Sequence, residues 1–160
     1  MIDFSKIVAF FRRRREVEHK FGQRSMQNLS GVHPDLIAVA KRASAISGQD
    51  FSVIEGVRNI ERQRQLVAQG KSQTMNSRHL TGHAVDVVPY PVSWDWDKFY
   101  PIADAFIEAA KELDIPLRWG GNWRVDDIRE WEGTGEELAK AYPGKFPDGP
   151  HFELSREYYP

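Results

Sequence analysis

Apolar residues recur at helical spacing between positions 36 and 46, as Leu36, Ile37, Val39, Ala40, Ala43 and Ile46. Pro34 suits a first helical position, where a backbone N–H has no partner anyway, and Gly48 suits a stop. Phe51-Ser52-Val53-Ile54 predicts a strand that ends near Gly56. Asn59 is a good N-cap for a helix running to about Ala68 and closed by Gly70. The polar stretch 71–78 predicts a loop. Ala84-Val85-Asp86-Val87-Val88 predicts a strand with one embedded acid, stopped by Pro89 and Pro91. Asp97 or Pro101 opens the next helix, with Ile102, Ala105, Phe106, Ala109, Ala110 and Leu113 on one face. Leu117-Arg118-Trp119 predicts a short strand before Gly120-Gly121, and 136–141 a weaker helix. A Pro/Gly-rich loop at 143–150 then delivers a last strand, His151-Phe152-Glu153-Leu154.

Strands alternate with helices, but the segments are short and the connections irregular. The expected class is α+β, with a small, mainly antiparallel sheet flanked by helices. Residues 1–24 read as an N-terminal appendage, expected to be helical, whose arginine run at 12–15 lies on a solvated face. Residues 25–160 read as one domain.

The composition narrows this picture. Lys+Arg 22 against Asp+Glu 23 leaves no global field that would favour nucleic acid or a membrane surface. The absence of cysteine excludes disulfides, thiolate metal sites and cysteine nucleophiles, so any metal site must use His, Asp and Glu. No run approaches the roughly 20 apolar residues needed to span a bilayer. Ile7-Val8-Ala9-Phe10-Phe11 is too short for a secretory h-region, and the arginines follow it rather than precede it, so no secretory signal is expected.

Candidate chemistry is densest in Ser77-Arg78-His79-Leu80-Thr81-Gly82-His83-Ala84-Val85-Asp86. A carboxylate embedded in an apolar strand must be paired, hydrogen-bonded or bound to metal. His79 and Asp86 are both suitable zinc ligands, although a His and an Asp this close are common. Asp148-Gly149-Pro150-His151-Phe152-Glu153 adds a second His at a strand start, with an acid three residues before it. A catalytic zinc takes about three protein ligands plus a water that needs a nearby base. His79, Asp86 and His151 would fill those positions and leave Asp148 as the base.

The pattern Ser-x-His-x-x-Gly-x-Ala-x-Asp, with acid-x-x-His far downstream, resembles the zinc D-Ala-D-Ala carboxypeptidase family. That family includes VanY-type enzymes and the L-alanyl-D-glutamate endopeptidases that phages use as endolysins. The similarity runs from Arg24 to Leu154 and includes Gly31-Val32-His33-Pro34-Asp35-Leu36, Glu55-Gly56-Val57-Arg58, Gly70-Lys71-Ser72 and Trp119-Gly120-Gly121-Asn122-Trp123. It implies a hedgehog/DD-peptidase-like fold and a zinc ion held by His79, Asp86 and His151. Asp148 matches the general acid/base, which is more often Glu. Arg58 matches the arginine that steadies the substrate carbonyl and its oxyanion, and Ser77 a substrate hydrogen-bonding position. Asn122 stands where many relatives have Asp.

The resemblance implies an endopeptidase cutting the L-Ala–D-Glu bond of cell-wall peptide stems. Such an enzyme is expected to be a monomer, made in the bacterial host cytoplasm and released by a separate holin-like partner. Two alternatives share the motif: a D,D- or L,D-carboxypeptidase on the same stems, and a non-catalytic zinc-containing wall-binding module. Plainer roles compete at single residues. Arg58 can pair with Glu55 or Glu61, Asp148 can serve a Pro-Asp-Gly turn, and Glu153 can orient a ligand histidine or lie exposed on its strand. His83 reads as structural, His33 as a helix cap and His19 as exposed. Trp119, Trp123 and Trp131 are candidates for a groove, with Trp119 the one expected in the core.

Overall fold

The structure, a computed structural model, describes residues 17–160. The helix expected within 1–24 falls largely outside them; residues 17–22 form neither helix nor strand, and Phe21 packs edge-on against Phe51. Five α-helices follow: α1 (Gln23–Asn28), α2 (Pro34–Ile46), α3 (Ile60–Ala68), α4 (Trp96–Leu113) and α5 (Gly135–Lys140). Four strands, β1 (Phe51–Glu55), β2 (Ala84–Pro89), β3 (Leu117–Trp119) and β4 (His151–Leu154), form one antiparallel sheet in the order β1-β2-β4-β3. The α+β expectation holds.

Local chemistry explains most boundaries. His33 caps α2 by accepting from Asp35 N, with Pro34 in the first turn. Asn59 caps α3 through Arg62 N. Thr134 and Glu137 close α5 with a reciprocal capping box. The long helix starts earlier than either expected position. Asp95 caps it, Trp96 is its first residue, and Pro101 lies inside it. Helix α4 ends at Asp114, whose left-handed φ of 57° turns the chain while its N–H returns to Ala110 and Lys111. Two 3-10 turns, Arg78–Thr81 and Ile128–Glu130, were not anticipated as elements.

Strand alternation divides the sheet into two chemically opposite faces. Cross-strand pairs Val53↔Val87, Val85↔Phe152, Trp119↔Phe152 and Leu117↔Leu154 share the face that packs into the core. Helices α2 and α4 cover this face with Leu36, Val39, Ala43, Ile102, Phe106 and Ala109. Phe106 and Phe152 stack with centroids 3.8 Å apart, and Trp119 lies nearly parallel to Phe152 at 6.0 Å. The pairs Asp86↔His151 and Arg118↔Glu153 occupy the other face. A bulge after Val53 breaks the β1–β2 register, leaving Ile54 exposed and bringing Glu55 opposite Asp86.

Among the described residues no helix is long and apolar enough to cross a membrane. Phe106 is fully buried and its ring has no polar role. Phe106→Ala should therefore lower unfolding free energy by about 3–5 kcal/mol, read from chemical denaturation.

Candidate metal centre

His79 lies in the tight turn Arg78–Thr81, which Ser77 caps by accepting from His79 N at 3.3 Å. Gly82 ends that turn at φ 76°, and a Cβ there would stand 2.8 Å from Gly31 O, so the chain enters β2 through a glycine. Asp86 sits mid-strand in β2, and His151 opens β4 directly across from it. One ligand atom from each of His79, Asp86 and His151 lies within 4.8 Å of the others.

The outer hydrogen bonds decide which nitrogens face inward. His79 Nδ1 is 2.8 Å from Gly56 O, a carbonyl that can only accept, so Nδ1 carries the proton. That leaves the bare Nε2 3.2 Å from Asp86 Oδ2. His151 Nε2 is 3.0 Å from Glu153 Oε1, so its Nδ1 faces Asp86 Oδ1 at 3.3 Å. Lone pairs on two imidazoles and a carboxylate thus converge, and Asp86 Oδ1 is buried without a hydrogen-bond partner. With both rings neutral, such a set repels itself unless a metal ion sits among it or a proton is taken up in its place. The donor set, two imidazole nitrogens and a carboxylate, suits a divalent transition ion.

The metal-free electrostatics carry the same signature. Without a metal, a proton on His151 takes part of the cation's place: burial would raise the Asp86 carboxyl, but His151 and His79 beside it hold it well below the usual carboxylate range. Burial would depress the His151 imidazolium, but its bonds to Asp86 and Glu153 push it up to about 10. Glu153 is held low by His151 against the opposing effect of burial.

Asp148 precedes this centre on a loop locked to the Gly120 turn. Its N–H donates to Gly120 O at 2.7 Å, Gly120 N donates to His151 O at 2.8 Å, and Trp119 Nε1 donates to Gly149 O at 2.8 Å. A Cβ at Gly120 would meet Asp148 O at 2.4 Å, which is why glycine stands there. Burial and the Asp86 charge raise the Asp148 carboxyl, while His151, His79 and Arg58 pull the other way. The Asp-Gly turn and an acid beside the His-Asp-His group coexist at this residue.

Arg58 is buried and held on three sides. Its Nε and Nη2 pair with both oxygens of Glu55 at 2.7 and 2.6 Å, its Nη1 donates to Gln63 at 2.8 Å, and Nη2 lies 3.6 Å from Asp86. Glu55, not Glu61, is its carboxylate partner. Gln63 is itself fully buried and also donates to Ser72 Oγ and Thr74 O. The sequence reading passed over Gln63; a glutamine sharing the inward face of α3 with Leu66 was the available signal. Trp119 is core, and Trp131 packs against the core. Trp123 stands beside the site, its ring 5.1 Å from His151, with the Arg118 guanidinium 5.0 Å from its centre. His33 caps its helix as expected, His83 bonds Thr81 Oγ1, and Asn122 is satisfied by Leu138 O and Arg124 N.

Residues 17–155 match the phage L-alanyl-D-glutamate peptidase family. The chain belongs to that family. It is 35% identical to the L-alanyl-D-glutamate peptidase of Escherichia phage T5 over 142 residues, covering 84% of this chain and 97% of that protein. It is 32% identical to the L-alanyl-D-glutamate peptidase of Listeria phage A118 over 105 residues, covering 62% of this chain and 37% of that one. The crystal structure of the Serratia marcescens L-Ala D-Glu endopeptidase ChiX is similar at a TM-score of 0.70 and 44% identity. That likeness covers 91% of this chain and 97% of ChiX. This peptidase is therefore an endolysin-like cell-wall hydrolase, with a buried His-Asp-His group able to hold a metal.

Without metal, the raised His151 pKa has a definite sign. A pKa of about 10 against 6.5 for a free imidazole stabilises the fold fully below pH 6.5 and loses that contribution as pH rises toward about 10. Chelator-treated protein should melt at progressively lower temperature across that window, and His151→Gln should flatten the slope.

Proposed function

We propose that the chain hydrolyses the L-Ala–D-Glu amide of peptidoglycan stems with a zinc ion held by His79 Nε2, Asp86 and His151 Nδ1. The observation that carries this is the convergence of three buried lone-pair donors beside an acid whose pKa is raised. When bound, zinc supplies Lewis acidity, making water more acidic and an amide carbonyl more electrophilic. Asp148 takes the proton of the attacking water and returns it to the amine nitrogen that leaves with D-Glu. Its raised pKa suits both halves of that exchange. Arg58, pinned by Glu55 and Gln63, faces the developing oxyanion with a preset guanidinium, so little reorganisation accompanies the charge shift. Ser77 uses an oxygen lone pair to cap its turn, which leaves its hydroxyl proton for the substrate. Trp123 forms an apolar wall against the stem peptide next to His151.

In the cell the enzyme acts on the wall as a monomer after a separate holin-like protein has opened the membrane. Digestion of purified peptidoglycan, followed by mass spectrometry, tests the reaction. New D-Glu amino termini should form, vanish with chelator and return with zinc; release of terminal D-Ala instead would make the chain a carboxypeptidase.

Asp148→Ala should lower hydrolysis by about 10²–10⁴-fold while zinc stays bound, as measured by isothermal titration. Hydrolysis within a few-fold of the parent would remove Asp148 from the reaction.

A further inference from the structure

The two histidines of the centre are held from behind by unlike partners. A neutral backbone carbonyl, Gly56 O, takes the outer N–H of His79, whereas a carboxylate, Glu153, takes that of His151 at 3.0 Å. Glu153 is only 3% exposed, and an ionised carboxylate is not buried so deeply without consequence. It cannot join the His79, Asp86 and His151 atoms as a further ligand. Its oxygen bonds Nε2, and the imidazole ring stands between it and the inward-facing Nδ1.

Behind Glu153 lies a layer of arginine. Oε2 has no hydrogen bond among the described residues and faces Arg156 Nε at 3.6 Å and Arg78 Nε at 3.9 Å. Arg78 immediately precedes His79, and its Nη2 donates to Leu154 O at 3.2 Å and Tyr159 O at 2.7 Å. The Glu153 charge therefore links the turn that carries His79 to the strand that carries His151.

We propose that Glu153 is a positioning residue: by holding His151 Nε2–H it presents Nδ1 inward and strengthens that nitrogen as a metal donor. This rests on the metal reading proposed above. A carboxylate behind an imidazole fixes its tautomer and ring angle and raises its basicity; losing such a partner weakens metal binding by about 10–100-fold. Gly56 O provides the orientation for His79 without the charge, so the two imidazoles differ in donor strength.

The test is zinc affinity by chelator competition, read on the parent, Glu153→Ala and Glu153→Gln, with circular dichroism of the metal-free proteins as the folding control. Glu153→Ala should bind zinc about 10–100-fold more weakly, with imidazole ¹⁵N shifts of the zinc-loaded protein showing His151 no longer confined to one tautomer. Glu153→Gln, which keeps an acceptor oxygen and most of the shape, should fall between Ala and the parent and keep the tautomer. It also serves if the alanine variant fails to fold. Folded variants that bind zinc as tightly as the parent, with unchanged ¹⁵N shifts, overturn the role of Glu153 alone. A folded parent that binds no divalent ion overturns the metal reading as well.

Discussion

The antiparallel pairing of β2 with β4 puts Asp86 directly across from His151, and the rest of the polar architecture depends on that register. Side chains on paired strands stand about 4.5–5.5 Å apart at Cβ, close enough for one cation to bridge them. The pairing also requires Phe152 and Val85, each one residue along, to point the other way into the core. A slip of one residue would bury His151 and expose Phe152, so the hydrophobic effect enforces the register that the chemistry uses. The Phe106–Phe152 stack is thus a determinant of the metal centre, although it touches none of its atoms.

Burying this many ionisable groups on one face is costly, and the structure offsets the cost by layering charge. Asp86 lies between two imidazoles, Glu153 between an imidazole and two arginines, and Glu55 against Arg58. Each anion has a cationic or potentially cationic neighbour, and each inward lone pair has an outward N–H bond on the same ring. Asp148 is the exception: burial and Asp86 dominate its surroundings, so its proton is held more firmly than in an ordinary Asp.

Close approaches between backbone segments complete the site. Gly56 can offer its carbonyl to His79 because α1 passes so near that a Cβ would meet Asn28 O at 2.0 Å. Gly120 lets the β3 turn lie against the Asp148 segment in the same way. The bulge at Ile54 changes which face Glu55 occupies and so supplies the carboxylate that clamps Arg58. Family likeness and geometry agree here, since Glu55-Gly56-Val57-Arg58 and Trp119-Gly120-Gly121 are the segments whose backbones perform these tasks.

Periodicity, caps and punctuation in the chain were enough to locate α2, α3 and all four strands, because these signals act over a few neighbouring residues. The His79, Asp86 and His151 trio and Asp148 were legible as residue types in and beside the predicted strands, and Arg58 through the family motif around it. The start of α4 at Trp96, with Pro101 inside it, was not legible. An Asp95 cap and a deeply buried apolar face outweigh one lost backbone bond, and burial is a property of the assembled molecule. Which nitrogen of His79 faces inward is settled by Gly56 O from a separate segment, and the strand register that sets Glu55 against Asp86 decides which carboxylate reaches Arg58. Local sequence determines which groups this peptidase carries and roughly where each element begins. Only tertiary packing determines which lone pairs meet, because that depends on a strand register and close approaches joining residues far apart in the chain, such as Asp86 and His151.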